Sequence, residues 1–274
     1  MKNKSDKPMD PVDEKTAAAQ RGFEKWLRDN PNNFSFWYPK VKNCGISTPR
    51  SVIVPVPMDV VESLFLEREG DSQRITAFVK DSVLPAIPRD MSRIFVKNGC
   101  FSNKFDFRWC TPGRGLHEMA ASFHRINYES LCLDTGGNAE FIIRELVGAR
   151  DNDFPYRIYN GMTLRPEVRV FYDFDNQKVL YSADYWDRNY CEESICRDAT
   201  DAVIYRTAYP AVEAFVKDHA SEAEHLVKEH LRNVRDIPGT WSVDLMWAQD
   251  RWWLIDMAVA YQSAYWDPRK AGLE

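Results

Sequence analysis

The chain has 274 residues, 44% of them apolar and 13% aromatic, with a formal net charge of −5. That length supports one large α/β domain or two closely packed lobes around a sizeable aromatic core. The acidic balance and the lack of any Lys/Arg run make nucleic acid an unlikely main partner, whereas a small nucleotide needs only a few local cations.

In chain order, residues 1–15 are rich in Lys, Asp and Pro and read as a loose tail. Residues 16–29 space Ala, Phe and Trp-Leu as an amphipathic helix. FSFWYPKVKNCG follows as an aromatic, turn-punctuated stretch, and SVIVPVP reads as a strand. A helix is expected over 58–69, opened by Pro57, and another over 72–84. RIFVKNG (93–99) is a strand that ends at a turn, and the Gly/Arg/aromatic stretch 100–115 is irregular. A helix over 118–133 stops at Gly136-Gly137, before a strong strand over 139–148. PEVRVFYDFDNQKVLYSADYW is a hairpin, 189–232 a long helix ended by Pro238-Gly239, and WSVDLMWAQDRWWLIDMAVAY a second hairpin. Hairpins interspersed with helices indicate mixed α+β architecture with antiparallel sheets.

The six cysteines form no Cys-x-x-Cys pair, and the five histidines lack metal-ligand spacing, which argues against zinc. No apolar stretch approaches the roughly 20 residues that span a bilayer, and residues 1–15 lack the apolar segment of a secretion signal. The expectation is a cytoplasmic protein with reduced thiols and no membrane partner.

The last hairpin carries the sharpest local pattern. With its turn centred on Asp250, cross-strand partners sum to a constant, so Asp244 faces Asp256. Opposed side chains share a sheet face about 5 Å apart, where like charges repel unless something positive compensates. Hard oxygen donors suit Mg²⁺, which also takes substrate phosphates. The plainer alternative is an edge position with both carboxylates in water, and a one-residue slip would destroy the pairing.

Upstream, Lys97 ends the RIFV strand, where an ammonium can meet a phosphate, and Asn98-Gly99 permits a sharp turn after it. Lys104, Asp106 and Arg108 follow; each alone reads more readily as a surface charge. Arg144 and Glu145 interrupt FIIRELV, where a charge is costly unless paired or liganded, or unless the strand is already emerging into solvent. Glu167, Arg169 and Phe171 share one strand face. Glu167 and Arg169 form an ion pair there, or Arg169 meets a phosphate or carboxylate through its fork.

These segments resemble the ATP-grasp superfamily, within it the R2K clade of proteins like cell division cycle protein 123. The residues that carry the resemblance are FSFWYPKVKNCGISTPRSVIVPVP, RIFVKNGCFSNKFDF, EFIIRELVGA, PEVRVFYDF with YSADYW, and WSVDLMWAQDRWWLIDMA, in that order over about 34–258. The resemblance implies a two-lobed α+β fold that clasps ATP and Mg²⁺. It divides the chain into a region at 16–90 that precedes the ATP-grasp part, a small lobe at 91–148 and a large lobe at 149–274. It implies a phosphate-contacting Lys97 and a second basic residue at Lys104. Arg144, Glu145, Leu146 and Val147 match the adenine-side strand and hinge, Glu167 and Arg169 the central strand, and Asp244 and Asp256 the metal carboxylates. Lys97 and Arg169 are the residues expected to act in catalysis. The chain departs from the family at Ala258, where Asn is usual, and at Asp256, where ligases use Glu; Gln262 or Ser263 are the substitutes within reach.

Two functions follow from the resemblance. One is an ATP-dependent ligase that activates a carboxylate as an acyl phosphate for attack by an amine or similar nucleophile. No side-chain nucleophile is needed, which suits the lack of a Ser-His-Asp or Cys-His arrangement. The other is an ATP-binding assembly factor that engages a protein partner and ligates nothing. Nucleotidyl transfer through Lys97 is a third and weaker possibility. The small-molecule, peptide or protein acceptor is not legible.

Overall fold

The computed structural model describes residues 11–66, 68–133, 135, 138–148, 154–189, 191 and 199–273. Helix α1 (Pro11–Arg28) begins inside the stretch read as a tail, and α2 (Phe34–Val41) follows. Strand β1 (Ser51–Pro55), α3 (Met58–Leu66) and α4 (Asp71–Phe78) come next; α4 runs on through a π turn (Val79–Val83). Then come β2 (Ile94–Asn98), α5 (Leu116–Cys132), β3 (Glu140–Glu145) and a short hairpin of β4 (Arg157–Ile158) with β5 (Met162–Thr163). Strands β6 (Glu167–Asp173) and β7 (Lys178–Asp184), helix α6 (Ala199–Leu231), and strands β8 (Thr240–Ala248) and β9 (Arg251–Val259) complete the order. The Gly136-Gly137 turn and positions 190 and 192–198 of the expected long helix lie outside the described residues.

The architecture is mixed α+β with antiparallel sheets, as the pattern of hairpins and helices indicates. A three-stranded sheet has the order β1-β3-β2, and a four-stranded sheet the order β7-β6-β8-β9. Strand β1, which precedes the boundary drawn at residue 91, thus completes the first sheet. Alternation gives each sheet one greasy face and one polar face. In the first, Val54, Val96, Phe141 and Ile143 pack with Val61 of α3 and with Met119, Phe123 and Ile126 of α5. The register sets Lys97 opposite Ile142 and Phe95 opposite Arg144 on the other face. In the second, Val168, Val170, Val243, Leu245 and Leu254 pack with Tyr205, Ala208, Val212 and Val216 of α6. Fully burying each such aliphatic chain contributes ~1.5–3 kcal/mol. Glu167, Arg169, Asp244, Met246 and Asp256 are left on the opposite face.

The segment FSFWYPKV, read as aromatic and turn-punctuated, is a helix with Pro39 inside it. Phe34, Trp37 and Val41 recur at helical spacing and are all buried, so core packing overrides the interior proline.

Candidate functional site

The polar faces of the two sheets meet across a cleft of about 1060 Å³ that opens to solvent. Lys97, Lys104, Arg144, Glu145, Leu146, Val147, Glu167, Asp244 and Asp256 all line it. Arg169, the remaining expected residue, reaches the same cluster through its bond to Asp244.

Asp244 and Asp256 are cross-strand partners, but not by the turn first drawn. Ala248 pairs with Arg251, so the turn is the two residues Gln249 and Asp250, at φ 53° and 56°, and its register alone would oppose Asp244 to Ile255. A bulge between this turn and the aspartates leaves Ile255 unpaired and advances the register by one. The turn and the bulge offset each other, and both carboxylates end on the cleft face.

Each carboxylate already has a cation. Arg169 donates Nε to Asp244 Oδ1 at 2.7 Å and Nη2 to Oδ2 at 2.8 Å, a bidentate fork. The ion pair posited between Glu167 and Arg169 is therefore not formed; Arg169 turns to its partner on β8, the second alternative weighed for it. Lys97, 1% exposed, donates Nζ to both Asp256 oxygens, at 3.0 and 2.8 Å, and so ties the small sheet to the large one. Asp256 is the more open carboxylate, with 34% side-chain exposure against 7% for Asp244.

Glu167 is buried, and burial pushes its carboxyl up to about 7, although Lys104 pulls the other way. Burial likewise pulls the Lys104 ammonium down to about 8, against the attraction of Glu167. Lys104 begins a short helical turn (Lys104–Trp109) after β2 and lies 3.8 Å from the Tyr185 ring centroid. Arg108 is exposed and paired with Asp106 at 2.7 Å, the plain surface role.

Arg144 is 6% exposed, and its Nε has no hydrogen-bond partner among the described residues. Desolvation makes its charge costly, as its lowered pKa records. A buried guanidinium that lines a cleft with an unmet N–H is fitted to an anion. Beyond it, Glu145 points to Arg50, and the Glu145 and Leu146 N–H groups bond the Arg50 and Arg93 carbonyls. Among the described residues the Val147 N–H has no partner. Gly148 follows at φ 71°; a Cβ there would sit 2.8 Å from the Arg165 guanidinium, which bonds the Gly148 carbonyl.

The donor set suits a cation that arrives with phosphate. No group of three His, Cys, Asp or Glu able to hold a metal occurs among the described residues. Two opposed carboxylates supply hard oxygens but too few ligands, so a Mg²⁺ ion there would need the balance from water and phosphate. Neither proposed substitute for the missing Asn joins them: the Gln262 amide oxygen accepts from Asn32, and Ser263 bonds Ser242. Phe95, Tyr185 and Met246 also line the cleft and were not foreseen. Phe95 and Met246 stand two residues from Lys97 and Asp244, so alternation alone could have placed them. Met162 and Thr163 arrive on two-residue strands that leave no periodic signal.

Comparison with known proteins finds no matching family and no matching curated protein. Among solved structures the chain is similar to Cdc123 from Schizosaccharomyces pombe, at TM-score 0.48 and 17% identity over 85% of each chain. It is similar to a RimK-domain ATP-grasp protein from Sphaerobacter thermophilus, at TM-score 0.39 and 10% identity over 88% of this chain and 64% of that one. It is also similar to D-alanine–D-alanine ligase from Bacillus anthracis complexed with ATP, at TM-score 0.35 and 10% identity over 88% and 59%.

Proposed function

We propose that the cleft binds Mg²⁺ and ATP in the ATP-grasp manner and that the chain is an ATP-dependent ligase acting on a carboxylate acceptor. The observation that carries the reading is the facing pair Asp244 and Asp256, each held by a cation, in a cleft whose other wall presents the unsatisfied Arg144. In a −5 chain, Lys97, Lys104 and Arg144 on the wall of one cavity are the local cations a triphosphate would require, which supports the reading.

Asp244 and Asp256 would hold the metal, which when bound supplies charge neutralisation at the transferring phosphoryl group. Lys97 and Arg144 would meet phosphate oxygens from the small-sheet side. The Val147 N–H would bond the adenine edge, with Phe95 and Met246 as apolar walls. Arg169 holds the Asp244 carboxylate in place through its two-pronged hydrogen bond.

The test is ADP release with Mg·ATP, a panel of carboxylates and hydroxylamine as the trapping amine. Asp256→Asn should reduce turnover by about 100-fold or more, as loss of a phosphoryl-stabilising group does, with an unchanged circular dichroism spectrum. Unchanged turnover in that variant would overturn the metal assignment. Tight Mg·ATP binding by the wild type with no ADP formed on any acceptor would leave the assembly-factor reading in its place.

A further inference from the structure

A second cavity of about 470 Å³ opens beside the cleft, walled among the described residues by Lys104, Phe105, Tyr159, Tyr185, Trp186 and Tyr265. Lys104 and Tyr185 line both spaces. The wall is tied to the carboxylate cluster: the guanidinium that grips Asp244 lies 4.7 Å from the Tyr185 ring centroid and donates Nη1 to the Ala264 carbonyl at 3.2 Å.

The cavity is built with strained backbone. Tyr159 and Tyr265 have φ of 50° and 66°, values that bulky aromatic residues rarely adopt. Such outliers persist where the surroundings hold them. Asp201 accepts from the Tyr159 N–H at 2.9 Å, and the Tyr159 carbonyl accepts from the Phe107 N–H at 2.8 Å. Tyr265 donates its hydroxyl to the Tyr185 carbonyl at 3.1 Å.

Rings in this number could receive either a cation or another apolar group. The cation position is already filled from within, since Lys104 Nζ lies 3.8 Å from the Tyr185 centroid and 5.2 Å from that of Trp186. A second cation would meet that ammonium at close range. Glu167, Asp244 and Asp256 attract Lys104 from the cleft side without a direct ion pair among the described residues, so its ammonium can also meet an anion at the cavity mouth.

We propose that this cavity receives the aromatic end of the acceptor, whose carboxylate lies at the mouth against Lys104; the proposal rests on the ligase reading above. The acceptor class is an aromatic carboxylic acid, free or as part of an amino acid. In that pose a carboxylate oxygen forms its bond to the terminal phosphorus as the bond to the bridging oxygen breaks, and that electron pair leaves with ADP. No further co-reactant is consumed in this step.

Calorimetric titration of the chain alone, and of the chain with Mg²⁺ and the non-hydrolysable analogue AMP-PNP, tests it with 3-phenylpropionate, acetate and 2-phenylethylamine. The expected order is 3-phenylpropionate about tenfold tighter than acetate, from burial of the ring, with the amine weakest. Phe105 is 41% exposed, so Phe105→Ala should fold normally, weaken 3-phenylpropionate about fivefold and leave AMP-PNP affinity within about twofold. Equal affinity for acetate, a preference for the amine, or no effect of either Phe105→Ala or Tyr265→Leu overturns the proposal. If AMP-PNP binds and the aromatic acid does not, this inference falls alone. If the aromatic acid binds and AMP-PNP does not, the nucleotide reading falls and takes the acceptor role with it, leaving the cavity a site for aromatic acids alone.

Discussion

Arg169 and Asp244 are each other's cross-strand partners, and neither side chain is more than 10% exposed. A buried pair of this kind is costly to break from one side, because the survivor keeps its charge without water or partner. Arg169→Met should therefore lower stability by about 3 kcal/mol in urea unfolding, and Asp244→Leu in the same chain should restore at least half of it. Glu167 and Lys104 make the cleft sensitive to pH. The folded Glu167 titrates above its ordinary value of 4.5, so the stability it contributes is full below that value and lost as the pH rises through about 7. Over the same rise Glu167 gains negative charge, and Lys104 loses its positive charge near about 8. Both changes oppose an anion, so ADP should bind more weakly at pH 8.5 than at pH 6, and Glu167→Gln should flatten the acid half of that profile in a fluorescence titration. Of these residues, the aspartates stood out as carboxylates within apolar strands, Lys97 as the charge that ends RIFV, and Arg169 by its alternation with Glu167. The partner of Arg169 was not, because choosing between Glu167 and Asp244 requires the β6–β8 register.

At the scale of elements, the β8–β9 hairpin decides where the aspartates stand. Its turn places Gln249 and Asp250 at positive φ, where Asn and Gly are favoured. Gln249→Asn with Asp250→Gly should raise stability by about 1 kcal/mol, seen as a higher urea midpoint, without altering nucleotide affinity. The strands of this hairpin were plain from their alternation. The bulge at Ile255 was not, since no local residue announces it, and the right pairing was reached through a turn drawn one residue too long. Helix α2 was hidden for a different reason: Tyr38-Pro39 reads as a turn until Phe34, Trp37 and Val41 have a core to enter. The four-residue pairing of β4 with β5 has no period to detect, yet it delivers Met162 to the cleft.

For the whole molecule, two antiparallel sheets carry separate apolar cores on their outer faces and one shared polar space between them. The mixed α+β make-up with antiparallel sheets was readable from the order of hairpins and helices, whereas the joining of β1 to β3 across 84 intervening residues, 56–139, was not. A ligand seated between the sheets stabilises the fold by mass action, by about 2.7 kcal/mol at a hundredfold excess over its Kd. Mg·ATP at that excess should raise the unfolding midpoint by several degrees, and EDTA should cancel the gain in a differential scanning measurement.

The Lys97 to Asp256 bond has a consequence for what can enter. A bare phosphate that took Lys97 would strand Asp256, and a bare divalent ion that took Asp256 would strand Lys97 in a site 1% open to water. Only a visitor carrying both signs of charge gives each former partner a replacement at once. The Lys97–Asp256 pair should therefore part more readily for a metal–phosphate complex than for either ion alone, like a bolt that turns on two keys.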